Sequence, residues 1–169
     1  MPSDSLKTIL IEEIKDLYHA EGQLVKALPK LADAAINPRL KEGLLHHLEE
    51  TRGQVTRLEQ VFEQLQVPVK AKTCPAMKGL IEEANERISE HESGPLRDAL
   101  IIGAAQRVEH YEIAAYGTAR AYAEELGEDR IAALLDETLE EEGAADRKLT
   151  EISETVNSDA CAPAGDLAG

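Results

Sequence analysis

Apolar residues recur every three or four positions along most of the chain, in four long runs and one short one. Leu6, Leu10, Ile14, Leu17, Leu24, Leu28 and Leu31 form a continuous stripe, the periodicity of an amphipathic helix. It predicts helix A over about residues 5–35, with Ser3 or Ser5 placed to cap its start and Pro29 bending it. Asn37-Pro38 is a short turn. Leu44, Leu48, Val55, Leu58, Phe62 and Leu65 mark the buried side of helix B, about residues 39–66. A connector over residues 67–73 leads to Cys74-Pro75, which opens a shorter helix to about His91 with Met77, Leu80, Ile81, Ala84 and Ile88 on one side. Ser93-Gly94-Pro95 ends that helix and starts the next. Helix C spans about residues 96–125 and stops at Gly127, a natural C-cap. Helix D spans about residues 129–156, with Ile131, Leu135, Leu139, Leu149 and Ile152 inward.

The A–B and C–D turns are short, so each pair is antiparallel, and the B–C connection is long enough to cross the molecule. The expected fold is all-α: a ferritin-like antiparallel four-helix bundle with a long B–C crossover carrying a short extra helix. Residues 1–156 make this one domain. The stretch NSDACAPAGDLAG, residues 157–169, is small and polar and is expected to be a disordered tail.

The pattern has polar interruptions, and these carry the chemistry. Glu21 stands at the centre of the helix A stripe, where a Leu would fit. On helix C, Ala105, Glu109, Glu112 and Tyr116 share the face of Ile101, Ile102, Val108 and Ala119. Burying an ionised carboxylate alone costs several kcal/mol, so these groups must be neutralised, paired or metal-bound. Counting from the turns, Glu21 lies level with Gly53 on helix B, and Glu112 lies level with Glu142 on helix D. Glu50, Gln54, Glu142 and Asp146 stand near those levels, so all four helices offer oxygen donors at one depth. The two halves also overlay without gaps. An offset of 112 − 21 = 91 matches Glu21 with Glu112, His19 with His110, Leu44 with Leu135, Leu48-Glu49-Glu50 with Leu139-Glu140-Glu141, and Leu58 with Leu149. Matched Glu residues on two hairpins are what a pseudo-twofold dinuclear site needs.

Carboxylates suit hard cations such as Fe, Mn and Mg and can bridge two of them. The usual di-iron bundle takes one Glu from each of two helices and Glu-x-x-His from each of the others. Glu21 and Glu112 fit the first role. Glu50-x-x-Gly53 and Glu142-x-x-Ala145 lack the His, and Gln54 and Asp146 stand one residue further on. The candidate metal ligands are therefore Glu21, Glu50, Gln54, Glu109, Glu112, Glu142 and Asp146. Helix B stays open, because its wheel centres the stripe on Thr51 and sets His47 closer to the core than Glu50. The plainer alternative pairs Glu109 and Glu112 with Arg107, Arg120 or a neighbouring helix. His110, beside Glu109, is a candidate to orient a ligand. His46, His91 and His19 read as surface residues, and Cys74 as structural.

Composition narrows the classes. Formal net charge is −15 and aromatics are few, which argues against a nucleic-acid partner, since phosphate binding needs clustered Lys and Arg. Cys74 and Cys161 form neither a disulfide framework nor a Zn spacing. No apolar run of about 18 residues and no signal peptide occurs, so a soluble cytoplasmic protein with no membrane partner is expected. No Ser-His-Asp set, Gly-rich phosphate loop or basic patch is visible.

The runs AEGQLVKALPKLA, HLEETRGQVTRLEQVFE, GLIEEANE, AAQRVEHYEIAAYGTA and TLEEEGAADRKL resemble the bacterial stress-induced YciF-type family of ferritin-like proteins. The resemblance covers roughly Leu6 to Ile152, and the VEHYEIAAYGT run is its most specific part. It implies a ferritin-like bundle with an extra short helix, a homodimer rather than a storage shell, and a di-metal site. The positions it carries over are Glu21, Glu50, Glu109, Glu112 and Glu142. Two functions follow as expectations. One is a stress-associated protein with a dinuclear Fe or Mn site and oxidase, peroxide-consuming or metal-handling activity. The other is a metal-free structural or interaction dimer.

Overall fold

In the computed structural model, which describes residues 5–162, five α-helices and no strand are found. They are α1 (Leu6–Ala34), α2 (Pro38–Leu65), α3 (Pro75–Ser89), α4 (Pro95–Glu125) and α5 (Asp129–Cys161). Their ends follow local chemistry. Ser5 caps α1, its Oγ accepting from the Thr8 amide at 3.2 Å. Asn37 caps α2 and accepts from the amides of Arg39 and Leu40. Pro38, Pro75 and Pro95 occupy first turns, where a missing N–H costs nothing. Gly127, at φ +69°, ends α4 in the left-handed conformation, and Glu128 N–H donates to Ala123 O at 2.9 Å. α2 ends the same way on Gln66, at φ 57°, a position that ordinarily favours Gly.

One boundary differs from the sequence reading. α5 does not stop at Val156 but runs on through Asn157 to Cys161. Val156 is buried, so the helix is anchored there, and no Gly or Pro interrupts the next five residues. Ala162 then turns extended, as the residue before a proline prefers. The remainder of the expected tail, residues 163–169, lies outside the described residues, as do residues 1–4 and with them Ser3.

α1 touches α2 and α4, and α5 touches α2 and α4, so the long helices close a ring; α3 packs on α4 and α1. Cross-links between neighbours run in opposite order. Arg57 reaches Glu137 while Gly43 faces Ile152, across α2 and α5. Gln106 reaches Thr150 while Arg120 reaches Asp136, across α4 and α5. Asp98, buried in α4, accepts from the Ile36 and Asn37 amides at 3.0 and 2.7 Å and ties down the α1–α2 turn. The apolar core falls into two clusters. One holds Leu24, Leu28, Leu44, Met77, Ile101 and Ile152. The other holds Leu10, Ile14, Leu17, Phe62, Ile131 and Leu135. Each fully buried Leu or Ile stabilises the fold by roughly 1.5–3 kcal/mol. The polar residues of interest lie between these two clusters.

Candidate metal centre

Among the described residues, nine polar or charged ones are buried: Glu21, His47, Thr51, Gln54, Asp98, Glu109, Glu112, Thr138 and Glu142. Asp98 is spent on the turn; the other eight lie on the four long helices at the layer between the clusters. Within that layer His47, Glu109, Glu112 and Glu142 each offer one ligand atom, all within 4.8 Å of one another. Glu21 adjoins them, its Oε1 accepting from the fully buried Tyr116 hydroxyl at 2.5 Å. Thus α1 supplies Glu21, α2 His47, α4 Glu109 and Glu112, and α5 Glu142.

These groups are poorly satisfied by protein. Both Glu112 oxygens, one oxygen each of Glu21, Glu109 and Glu142, and His47 Nε2 are buried without a hydrogen-bond partner. His47 Nε2 is 3.1 Å from Glu109 Oε1 and 3.7 Å from Glu142 Oε2, but not aligned to bond either. No arginine relieves the charge. Arg107 donates to Gly103 O, and Arg120 pairs with Asp136 and Glu124. Neither arginine therefore pairs with Glu109 or Glu112, and the neighbouring-helix group within ion-pair distance is His47, beside Glu109.

Without a cation the site must hold protons instead. Burial first, then the neighbouring carboxylates, push Glu112 and Glu109 well above the ordinary carboxylate range. Burial likewise raises Glu21, with Glu142 adding to it and the Tyr116 hydrogen bond opposing it. His47 moves the other way from a lone buried imidazole. Burial lowers it, but the hydrogen bond to Glu50 and the charges of Glu142, Glu50 and Glu21 outweigh burial and raise it.

Each position picked from the sequence has a definite place. Glu21, Glu109, Glu112 and Glu142 converge. Gln54 is buried beside them, its Nε2 donating to Glu142 Oε1 at 2.5 Å and Glu141 Oε2 at 3.0 Å. Arg57 holds Glu141 in turn at 2.9 Å, so Gln54 reads as a holder of Glu142. Glu50 is not among the converging atoms. It is half-buried on the outer side of His47, its Oε2 3.1 Å from His47 Nδ1 and its Oε1 3.2 Å from the exposed His46. A carboxylate on Nδ1 fixes the imidazole so that Nε2 faces the cluster. Asp146 also stands outside, bonded to Gln106 and facing the exposed His110 at 3.3 Å. That removes His110 from the cluster too. His19 is half-buried rather than a surface group, and its Nδ1 accepts from the Cys74 amide at 3.1 Å.

His47 is the cluster member that the helical pattern underrates, and the Tyr116 hydroxyl a partner that it does not reveal. The repeat explains the first. With the offset of 91, His47 matches Thr138 and Thr51 matches Glu142. All four are buried. The two halves thus bury the same pair of positions but place their cluster member on alternate ones, so matching Glu with Glu passes over His47. Thr51 satisfies itself by donating to His47 O at 2.8 Å.

Residues 5–161 match a domain of unknown function, DUF892. The chain belongs to this family. It is 49% identical to protein YciF of Escherichia coli K12 over 154 residues, covering 90% of this chain and 93% of that one. The crystal structure of the E. coli stress protein YciF superposes with a TM-score of 0.88 at 48% identity, over 92% of this chain and 98% of the other. YcfI of Rhodopseudomonas palustris superposes at 0.86 and 46% identity, over 89% and 97%. A Xanthomonas campestris protein at 20% identity, with a TM-score of 0.72, shares the fold. The chain is therefore a YciF-like, all-helical protein of the DUF892 family.

Proposed function

We propose that the protein is a ferritin-like metal protein of stress protection. In this reading α1–α2 and α4–α5 are the two hairpins of a four-helix bundle, α3 rides on the crossover, and the buried layer holds a dinuclear Fe or Mn centre. The observation that carries it is the set of buried oxygens on four carboxylates that no protein group satisfies. Native structures rarely leave such groups unpaired. Four ionised carboxylates and a neutral imidazole sum to four negative charges, which two divalent cations balance. Glu21, His47, Glu109, Glu112 and Glu142 are the ligands, and their hard oxygens with one nitrogen suit Fe or Mn over Zn or Cu.

Bound there, the metals would supply Lewis acidity and redox chemistry toward dioxygen or peroxide. The chain's own residues do the rest. Glu50 orients His47, Gln54 holds Glu142, and the Tyr116 hydroxyl holds Glu21. The apolar clusters on both sides keep bulk water out. Glu21, Glu109 and Glu112 surrender protons on loading, so affinity rises with pH. The test is anaerobic titration of chelated-out protein with Mn²⁺, followed by electron paramagnetic resonance. Two exchange-coupled ions per chain support the reading; an uncoupled, weakly held ion or none contradicts it.

A further inference from the structure

A cavity of about 110 Å³ opens between α2 and α5 and ends on the cluster. Its inner end is His47 and Glu109, two of the converging ligands. Its walls are Gly43, Leu44 and the half-buried Glu50 of α2 and Ala145, Leu149 and Ile152 of α5. Lys148, exposed, stands at the outer edge beside the exposed His46. Small residues keep the passage open: a methyl on Gly43 would already meet Ile152 Cδ1 at 3.6 Å. Leu44, Leu149 and Ile152 are buried and would strip a permeant of its hydration. Glu50 lines the inner part and Lys148 the mouth, so the charges offset, and it is the buried apolar wall that costs a hydrated metal cation heavily and a small uncharged molecule little.

We propose that this cleft is the port by which a small uncharged molecule of dioxygen size reaches the cluster, and that Gly43 and Ala145 set its width. The substrate class rests on the metal-centre reading above; the cavity itself does not. Xenon, an apolar atom of similar size, tests the port in metal-free crystals. Density is expected in the cleft of the wild type, and none in Ala145→Leu or Gly43→Leu, either of which suffices if the other fails to fold. On protein loaded anaerobically with Fe²⁺ and then mixed with dioxygen, oxidation of the bound iron is expected to slow at least about tenfold in the same variants, since the wall must now move to admit the gas. Metal bound per chain should be unchanged, because neither residue is a ligand. A cleft empty of xenon in the wild type, or oxidation as fast in the variants, overturns the port. Low metal content in all three proteins overturns the metal reading instead and leaves the xenon result to decide the port alone.

Discussion

Glu112 carries the sharpest consequence at the scale of single residues, because both its oxygens are buried and unpartnered. Glu112→Gln keeps the shape and removes one charge. Metal affinity should fall sharply, while the metal-free protein should melt at the same temperature or higher, since one source of carboxylate repulsion is gone. Calorimetric melts with and without chelator read both effects. Tyr116→Phe acts in the opposite sense. It strands Glu21 Oε1 without a donor in the buried layer and should cost the metal-free protein about 1–3 kcal/mol, seen in a urea titration. The pH dependence follows from the raised groups. Glu21, pushed up to about 8, and Glu109 and Glu112, also raised, bind protons in the native state that the unfolded chain has already released. Their stabilisation is complete below the unfolded carboxylate range and is lost as pH rises through the folded values. The metal-free melting temperature should therefore fall between about pH 5 and 8. His47, raised likewise, adds to the same slope. Glu12, held down to about 2 by Lys15 and Lys72, acts only in stronger acid and leaves this window alone. A melting temperature that climbs from pH 5 to 8 in chelator would contradict the account.

At the scale of helices and turns, periodicity and punctuation were legible. The stripes from Leu6 and Leu44, the prolines at helix starts and Gly127 at a helix end all correspond to what forms. Gln66 was not legible as a left-handed cap, because nothing in its side chain favours that conformation; Phe62, Leu65 and Val67 pack into the core on either side of it. Gln66→Gly should relieve the strain and stabilise by roughly 0.5–1 kcal/mol, measurable as a higher denaturant midpoint with an unchanged slope. The candidate site was legible where a carboxylate interrupts an apolar stripe, as at Glu21, Glu109 and Glu112. It was not legible on α2, where the choice between His47 and Glu50 depends on which way one turn of helix faces. A wheel resolves that only to within a residue, and a motif borrowed from the family points to Glu50. α5 outran its apolar pattern because a helix anchored at Val156 continues until a proline forbids it.

The whole molecule is two apolar clusters with a charged layer between them, wrapped in an acidic surface of net charge −15. That surface predicts no DNA retention in a gel shift at physiological salt. It also concentrates cations near the protein. No helix among the described residues is long and apolar enough to cross a membrane. Assembly is proposed as a homodimer, with Ile36, Leu45 and Leu96 among the exposed apolar side chains a partner could cover. Light scattering should give about twice the 18.4 kDa chain mass, and a monomer or a shell of some twenty chains would refute it. The charged layer is the costly feature of this architecture, and the claim is that divalent cations make it tolerable. Metal content by mass spectrometry, after loading wild type and Glu112→Gln with Fe²⁺ or Mn²⁺ and desalting, tests that claim most directly. About two ions per wild-type chain and a marked loss in the variant are expected, with a wild-type melt that chelator lowers by the binding linkage, ~2.7 kcal/mol at a hundred times the dissociation constant. Fewer than about one ion per two chains, with melts indifferent to chelator, would contradict it.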